Sequence, residues 1–296
     1  MCAWPTAVGL GLDAVLADPR RGHPVAAFGA VATRAERLGY KDSRAAGTVF
    51  ALGLTGAAAG LGALLGRRRV SVAVATWAVI GGTTLRREAQ TMHRLLDADD
   101  LAGARERLPH LCGRDPSQLD AAELARATVE SVAENTSDAV VAPLFWGAIA
   151  GAPGLLGYRA VNTLDAMVGH RSDRYLRFGW AAARLDDAAN WVPARLTAGL
   201  TSVLAPVVDG SRGRALRVWR RDGGKHPSPN AGPVEAAFAG ALGRTLGGEL
   251  RYGTRVESRP LMGDGPAPFV ADIPRAARLS AAVSVAAGAI AVVARR

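Results

Sequence analysis

Glu130-Ser131-Val132-Ala133-Glu134-Asn135-Thr136-Ser137-Asp138 runs directly into Ala139 to Tyr158, a stretch without a charged residue. Carboxylates beside membrane-like sequence are costly, and they are kept where binding or chemistry requires them. This junction makes an all-α, polytopic membrane bundle the expected fold, with the acidic block as its first candidate site. The uncharged stretch holds Pro143, Gly147, Gly151, Pro153, Gly154 and Gly157. So many helix breakers predict a broken or re-entrant segment buried against protein rather than a straight span. Upstream, Asp120-x-x-Glu123 has the form of a capping box, so a helix is expected from about Ala121. On it Arg126, Glu130, Glu134 and Asp138 recur at steps of four and share one face.

Working outward, Ala45 to Gly66 is uncharged and long enough to cross the ~30 Å hydrocarbon core. It contains Gly56-x-x-x-Gly60, a spacing that lets helices approach closely. Val70 to Leu85 is a second uncharged run, and the two read as a helical hairpin around Arg67 to Arg69. Basic residues before it (Arg20 to Arg44) and after it (Arg86 to Arg114) place both ends of this hairpin in the cytoplasm. Further membrane segments are expected near residues 3–17, 191–208 and 279–294, giving six with 45–66, 70–85 and 139–158. Residues 86–137 and 209–275 are expected to be cytoplasmic, the second region loop-rich, with 249–260 as the best strand candidate. All 296 residues are read as one integral-membrane domain.

Composition fits this. Hydrophobic residues make up 49% and mean hydropathy is slightly positive, so a disordered chain is excluded. The net charge is +10, yet the arginines flank apolar runs, which favours a membrane surface over a nucleic-acid groove. No zinc-finger spacing or base-stacking aromatic motif accompanies the charge. Cys2 and Cys112 form neither a disulfide framework nor a metal-ligand spacing. The amino terminus lacks the basic region and cleavage site of a secretory signal, so insertion is expected to use an uncleaved apolar segment.

Four further polar blocks accompany the first. Asn162 and Asp165, three apart in Asn162-Thr-Leu-Asp165, would share a helix face, or else cap a helix end. Asp186 and Asn190, in Arg184-Leu-Asp-Asp-Ala-Ala-Asn190, lie one turn apart. They fit either a metal site with Asp187 or an interfacial Asp–Arg network anchored by Trp191. Gly223-Gly-Lys-His-Pro-Ser-Pro-Asn-Ala-Gly232 holds Lys225, one of two lysines among 36 basic residues. A retained Lys in an arginine background points to a need for a compact ammonium group. No Walker motif and no nucleophile–His–acid triad is present. His23 lies in the loop Asp18 to Pro24.

These blocks, in this order, resemble the CobD/CbiB family. The resemblance rests on Gly113-Arg-Asp-Pro-Ser-Gln-Leu-Asp120, Glu130 to Thr136, Ala142-Pro-Leu-Phe-Trp146, Asn162 to Gly169, Phe178 to Asp187, Asn190-Trp-Val-Pro-Ala-Arg195 and Lys225 to Gly232. Asp18-Pro19 and His23-Pro24 complete it. Pro116 stands where Thr is expected, and the chain after Met262 resembles the family least. The resemblance implies a multi-pass cell-membrane enzyme with a cytoplasm-facing site, adenosylcobinamide-phosphate synthase, a carbon–nitrogen ligase. It would join the carboxylate of a corrinoid, adenosylcobyric acid, to the amine of (R)-1-amino-2-propanol or its O-phosphate, with ATP as co-substrate and Mg²⁺. The lipid bilayer is its expected environment, and nucleic acid is not a partner.

Within that reading Glu130 and Glu134 are catalytic or metal-ligating. Asp138, Asp165, Asp186 and Asp187 are metal candidates. Lys225, Arg114, Arg184 and Arg195 are candidates for ATP or aminopropanol phosphate. His226, then His23, are candidates for the base that frees the attacking amine. Asn135, Asn162, Asn190 and Asn230 are candidates for the corrin side-chain amides. The rival readings are a non-catalytic membrane sensor like the AmpE proteins and a membrane transferase acting on a diphosphate. The first would not need so many polar blocks, and Asp186-Asp187 fits the second only partly.

Overall fold

The computed structural model describes residues 4–19, 22–66, 68–252 and 255–294. Cys2, Arg20, Arg21, Arg67, Arg295 and Arg296 lie outside the described residues. Helices in chain order are α1 (Trp4–Leu16), α2 (Pro24–Gly39), α3 (Arg44–Leu65), α4 (Arg69–Val79), α5 (Gly82–Asp97), α6 (Leu101–Arg107), α7 (Ala121–Thr136), α8 (Ala142–Ala150), α9 (Ala152–Leu164), α10 (Trp180–Leu204), α11 (Arg212–Asp222), α12 (Ala231–Leu242) and, after an antiparallel hairpin of β1 (Leu246–Tyr252) and β2 (Arg255–Met262), α13 (Asp272–Val293). Among the described residues, three helical stretches are long and apolar enough to cross a membrane: Arg44–Leu65, Trp180–Val208 and Asp272–Val293. This is the helical, polytopic membrane fold expected from the sequence.

The chain divides into two compact units. The first comprises Met1–Gly81, Asp138–Pro193 and Ala287–Arg296. Its α3 packs along α9, and α4 packs on α1. The hairpin expected from α3 and α4 is therefore not the main packing, because each has a larger apolar partner elsewhere. Gly56 and Gly60 face open space, whereas a Cβ on Gly62 would come within 2.6 Å of the Ala152 carbonyl oxygen. The close approach is made just beyond the expected pair. Around Phe178 a core of Ala32, Ala51, Leu164, Val168 and Ala182 forms, with Tyr40 and Phe50 rings 5.2 and 5.0 Å from the Phe178 ring. The buried Glu36 accepts from Arg174 at 3.0 Å and from the Tyr175 hydroxyl at 2.9 Å.

The run expected at 70–85 is interrupted at Ile80–Gly81, between α4 and α5. The uncharged run after Asp138 is broken as expected. A π-helical turn (Ser137–Val141) leads into α8, and Gly151, at φ 68° and ψ −143°, separates α8 from α9. The α-helix carrying Glu130 and Glu134 thus ends at Thr136, so Asp138 belongs to the π-turn rather than to a fourth step on the same face.

The second unit comprises Gly82–Ser137 and Ala194–Ala286. Here the capping box forms as read: Asp120 accepts from the Glu123 N–H at 2.8 Å, and Glu123 accepts from the Asp120 N–H at 3.0 Å. The region 209–275 is more ordered than expected. It contains α11 packed on α12 and the β1–β2 hairpin, whose strands take in the strand candidate 249–260 except for Gly253 and Thr254, which lie outside the described residues. Its order comes from the wholly buried, mostly apolar α12 together with buried ion pairs. Asp272, fully buried, receives Arg244 at 2.7 Å and Arg275 at 2.6 Å.

Candidate active site

Two polar groups stand out, one in each unit. In the second unit the group is built on α7 and α12. Glu130 is buried and accepts from Arg114 Nη2 at 2.7 Å and from the Gly247 N–H at 2.8 Å. Gly247 can offer that N–H because β1 bulges between Leu246 and Gly248, where Gly247 holds φ 91° and Gly248 φ 97°. Side chains rarely adopt such angles, so the bulge requires glycine. Arg126 secures the same strand, donating at 2.9 Å to the carbonyls of Gly247 and Glu249. Sequence spacing thus paired Arg126 and Glu130 correctly on one face, and the partner of that face is a strand.

One turn on, Glu134 is exposed to solvent, with Arg259, Glu130 and Arg114 within electrostatic reach of its carboxyl. Desolvation raises its carboxyl above the usual range; Arg259 partly opposes this and Glu130 adds to it. Asn135 is turned back on its own helix, donating to the Ser131 carbonyl at 2.9 Å. Glu235 lies on α12, almost wholly buried. Burial first, then the charges of Glu130 and Glu134, push its carboxyl well above the usual range. Arg259 Nη1 lies 4.0 Å from Glu235 Oε1 and 3.0 Å from His226 Nε2.

His226 is buried, and the Ser228 N–H donates to its Nδ1 at 3.0 Å. Burial, followed by the Arg259 charge, lowers its pKa to about 4, so it is neutral near neutral pH. Lys225 donates to Asp222 at 2.7 Å, and Asp222 also receives Arg221 and, at 3.0 Å, the Gly263 N–H. These bonds, led by Arg221, hold the Asp222 carboxyl far below its ordinary range. The loop holding Lys225 is therefore anchored at its start. It is closed at its end by Ser228, whose hydroxyl accepts from the N–H groups of Asn230 and Ala231. Arg195 donates to the Pro229 carbonyl at 3.3 Å, tying α10 to this loop.

In the first unit the group centres on Tyr158 and Arg159. The Tyr158 hydroxyl donates to Asn190 Oδ1 at 2.8 Å and lies 3.2 Å from the Asp138 carbonyl. The Asp138 and Asp186 carboxylates are within electrostatic reach of it, and Asp18 and Asp138 are within reach of Arg159. Asn162 accepts from Arg159 at 3.4 Å and donates to Asp186 at 3.5 Å. The unit thus brings together Asp138, Asn162, Asp186 and Asn190 from π-turn, α9 and α10. Asn190 is buried, and its Nδ2 has no hydrogen-bond partner among the described residues. Native interiors rarely leave such a donor open, so a water or a ligand acceptor is called for there.

Asp165 opens a second π-helical turn, Asp165–Gly169. Turns of this kind are frequent at functional sites. Arg184 pairs with Asp187 at 3.2 Å on an exposed part of α10. His23 caps α2, accepting from the Val25 N–H at 3.1 Å, and contacts Asp18 at 3.3 Å. Among the described residues no group of three or more His, Cys, Asp or Glu is placed to hold a metal by itself.

Glu235, Arg259, Tyr158, Arg159 and Asp222 were not singled out from the sequence. Glu235 carried a usable signal: it is the one charge in Ala231–Leu242. Arg159 likewise is the first charge after the uncharged run. Arg259 gave none, because its partners are distant in sequence.

A family described as "CobD/Cbib protein" matches residues 6–280, past the point where the sequence resemblance faded. A "Cobalamin biosynthesis protein CobD" of Mycobacterium tuberculosis is 55% identical over 291 residues, covering 96% of this chain and 93% of the relative. Proteins of the same description from Chromobacterium violaceum and Rhodobacter capsulatus are 44% and 42% identical. Their matches cover 92% and 90% of this chain, and 90% and 89% of their own lengths. No solved structure matches. The chain belongs to the CobD/CbiB family.

Proposed function

We propose that the protein acts in cobalamin biosynthesis. In this reading it joins the carboxylate of adenosylcobyric acid to the amine of (R)-1-amino-2-propanol or its O-phosphate, at the cytoplasmic side of the cell membrane. Support comes from the family, from the spans and from the chemistry of the two polar groups. A carboxylate is a poor acyl donor. Its oxygen therefore first takes the γ-phosphoryl group of ATP, releasing ADP, and the amine then displaces inorganic phosphate from the acyl phosphate.

The observation that carries the reading is Glu134, a solvent-reached carboxylate whose affinity for a proton is raised by its surroundings. Such a group takes the proton that the ammonium must lose before the amine attacks. His226, the base expected from sequence, is less suited, since a pKa of about 4 makes it a weak acceptor. It orients Arg259 beside Glu235. Glu130 and Arg114 fix the geometry of this group. Lys225 and Arg195 hold the phosphate of the aminoalcohol or of ATP from the anchored loop, on which Asn230 also lies.

In the first unit Asn190 and Asn162 receive the corrin side-chain amides, and the open Nδ2 of Asn190 fits an amide carbonyl. Of the metal candidates, Asp138 and Asp186, both within reach of Tyr158, would offer carboxylate oxygens to an ion there, while Asp165 and the Arg184-paired Asp187 complete no cluster with them. Mg²⁺ needs only one or two protein carboxylates when water and substrate phosphates supply the rest, so this donor set fits it without a closed cage. When bound, the ion neutralises the charge on the triphosphate. His23 keeps the helical cap described above. The test is incubation of the purified protein with the corrinoid, the aminoalcohol phosphate, ATP and Mg²⁺. Glu134→Gln is expected to abolish amide formation while the protein stays folded in detergent; full activity of that variant would reject the assignment of the base.

A further inference from the structure

Within the first unit, α2, α3, α4 and α9 enclose a mostly apolar cavity of about 490 Å³, a size typical of ligand pockets, with Arg159 and Thr163 of α9 also in its lining. Leu54, Ala58, Leu61 and Leu65 of α3 form one wall, and Val70 and Val74 of α4 form the other. Leu61, Leu65, Val70 and Val74 are exposed, so the cavity opens sideways. It opens along α3, a membrane-crossing helix of which only 11% is covered by protein. What reaches it there is hydrocarbon, not water.

The wall from Leu54 to Leu65 is about 16 Å long at 1.5 Å per residue. That is about half of a ~30 Å hydrocarbon core, the depth of a single leaflet. Leu65 and Val70 both line the cavity, and the exposed Arg68 and Arg69 immediately precede Val70 in the chain. Apolar walls one leaflet deep with two cations at the rim complement an acyl chain carrying an anionic phosphate.

We propose that this groove holds an acyl chain of an anionic phospholipid, with the lipid phosphate at Arg68 and Arg69. The proposal does not rest on the reaction assigned above, although Arg159 lines both this cavity and the polar group of the first unit. It is tested by native mass spectrometry of the full-length protein in detergent, titrated with phosphatidylglycerol or phosphatidylcholine of identical chains. Wild type should retain bound phosphatidylglycerol in preference to phosphatidylcholine. Arg68→Ala/Arg69→Ala should reduce that preference by about fivefold for each arginine removed. Ala57→Trp, which fills the groove from an exposed helix position, should remove bound lipid of both kinds.

Circular dichroism and gel filtration confirm that each variant is folded; the double arginine variant, altered only at exposed positions, keeps the test decisive if Ala57→Trp misfolds. Equal retention of the two lipids by wild type, or unchanged preference in the arginine variant, would overturn the proposal. So would an Ala57→Trp protein that keeps its lipid, or one that loses only a dimeric state, since the groove would then be covered by a second copy.

Discussion

Replacing Glu130 by Ala tests what holds the β1–β2 hairpin against α7. Both partners of the Glu130–Arg114 pair are 6% exposed and their atoms are 2.7 Å apart, so water cannot replace the lost partner. Removing one member of a buried pair costs about 3–5 kcal/mol, because the other charge stays buried. The Gly247 N–H loses its acceptor as well, which adds about 1 kcal/mol. For a unit of this size such a loss lowers the melting temperature by roughly 10–20 °C.

The assay is thermal unfolding in detergent followed by circular dichroism. Arg114→Met combined with Glu130→Met should recover most of the loss, because apolar groups replace both charges. A Glu130→Ala protein melting within about 2 °C of wild type, far inside the expected shift, would refute the idea that this pair anchors the hairpin. A double variant less stable than either single one would refute it equally.

Other consequences are separable from this one. If Glu134 takes the amine proton, turnover should fall as pH drops through a value above the usual carboxylate range, since the raised group must be ionised to act; a pH–rate profile of wild type would show this acid limb. His226 is neutral in the folded state down to about pH 4, while an unfolded His protonates near 6.5. Stability present above about pH 6.5 is therefore lost as pH falls towards 4, by up to ~3 kcal/mol, and His226→Gln should flatten that slope in urea melts at about pH 4.5 and pH 7. Lys225 is half exposed, so Lys225→Met should cost no more than ~1 kcal/mol of stability; a large loss of turnover with an unchanged melting curve would mark it as a phosphate contact. Asp222→Asn should instead lower stability by about 1–3 kcal/mol, read from the same urea melts, because the buried carboxylate would no longer accept charge-assisted hydrogen bonds from Arg221 and Lys225.

The membrane character of the chain was legible in its runs without charge, and the capping box located the start of α7. The broken nature of 139–158 followed from Pro143 and Pro153, which lack an N–H and are tolerated only at the helix starts where they stand, and from Gly151, which takes the positive φ that separates α8 from α9. Helix pairing was not legible. Gly56 and Gly60 had the favoured spacing, yet Gly62 makes the contact, because the choice of face depends on α9 and not on α3 alone. The order in 209–275 was hidden for a similar reason: Asp222 and Asp272 gather arginines from distant positions, and no local pattern encodes such pairs. Of the site, the steps of four in α7 identified Arg126, Glu130 and Glu134. The π-turn at Ser137 then removed Asp138 from that series, since a wider turn changes the helical phase in a way that residue spacing does not record.

The central claim is amide formation coupled to ATP. Purified protein in lipid nanodiscs, given adenosylcobyric acid, (R)-1-amino-2-propanol O-phosphate, ATP and Mg²⁺, should form adenosylcobinamide phosphate with one ADP released per amide. Chelating the Mg²⁺ should stop the reaction. Amide formed without ATP consumption, or no amide under any of these conditions from folded protein, would contradict the account.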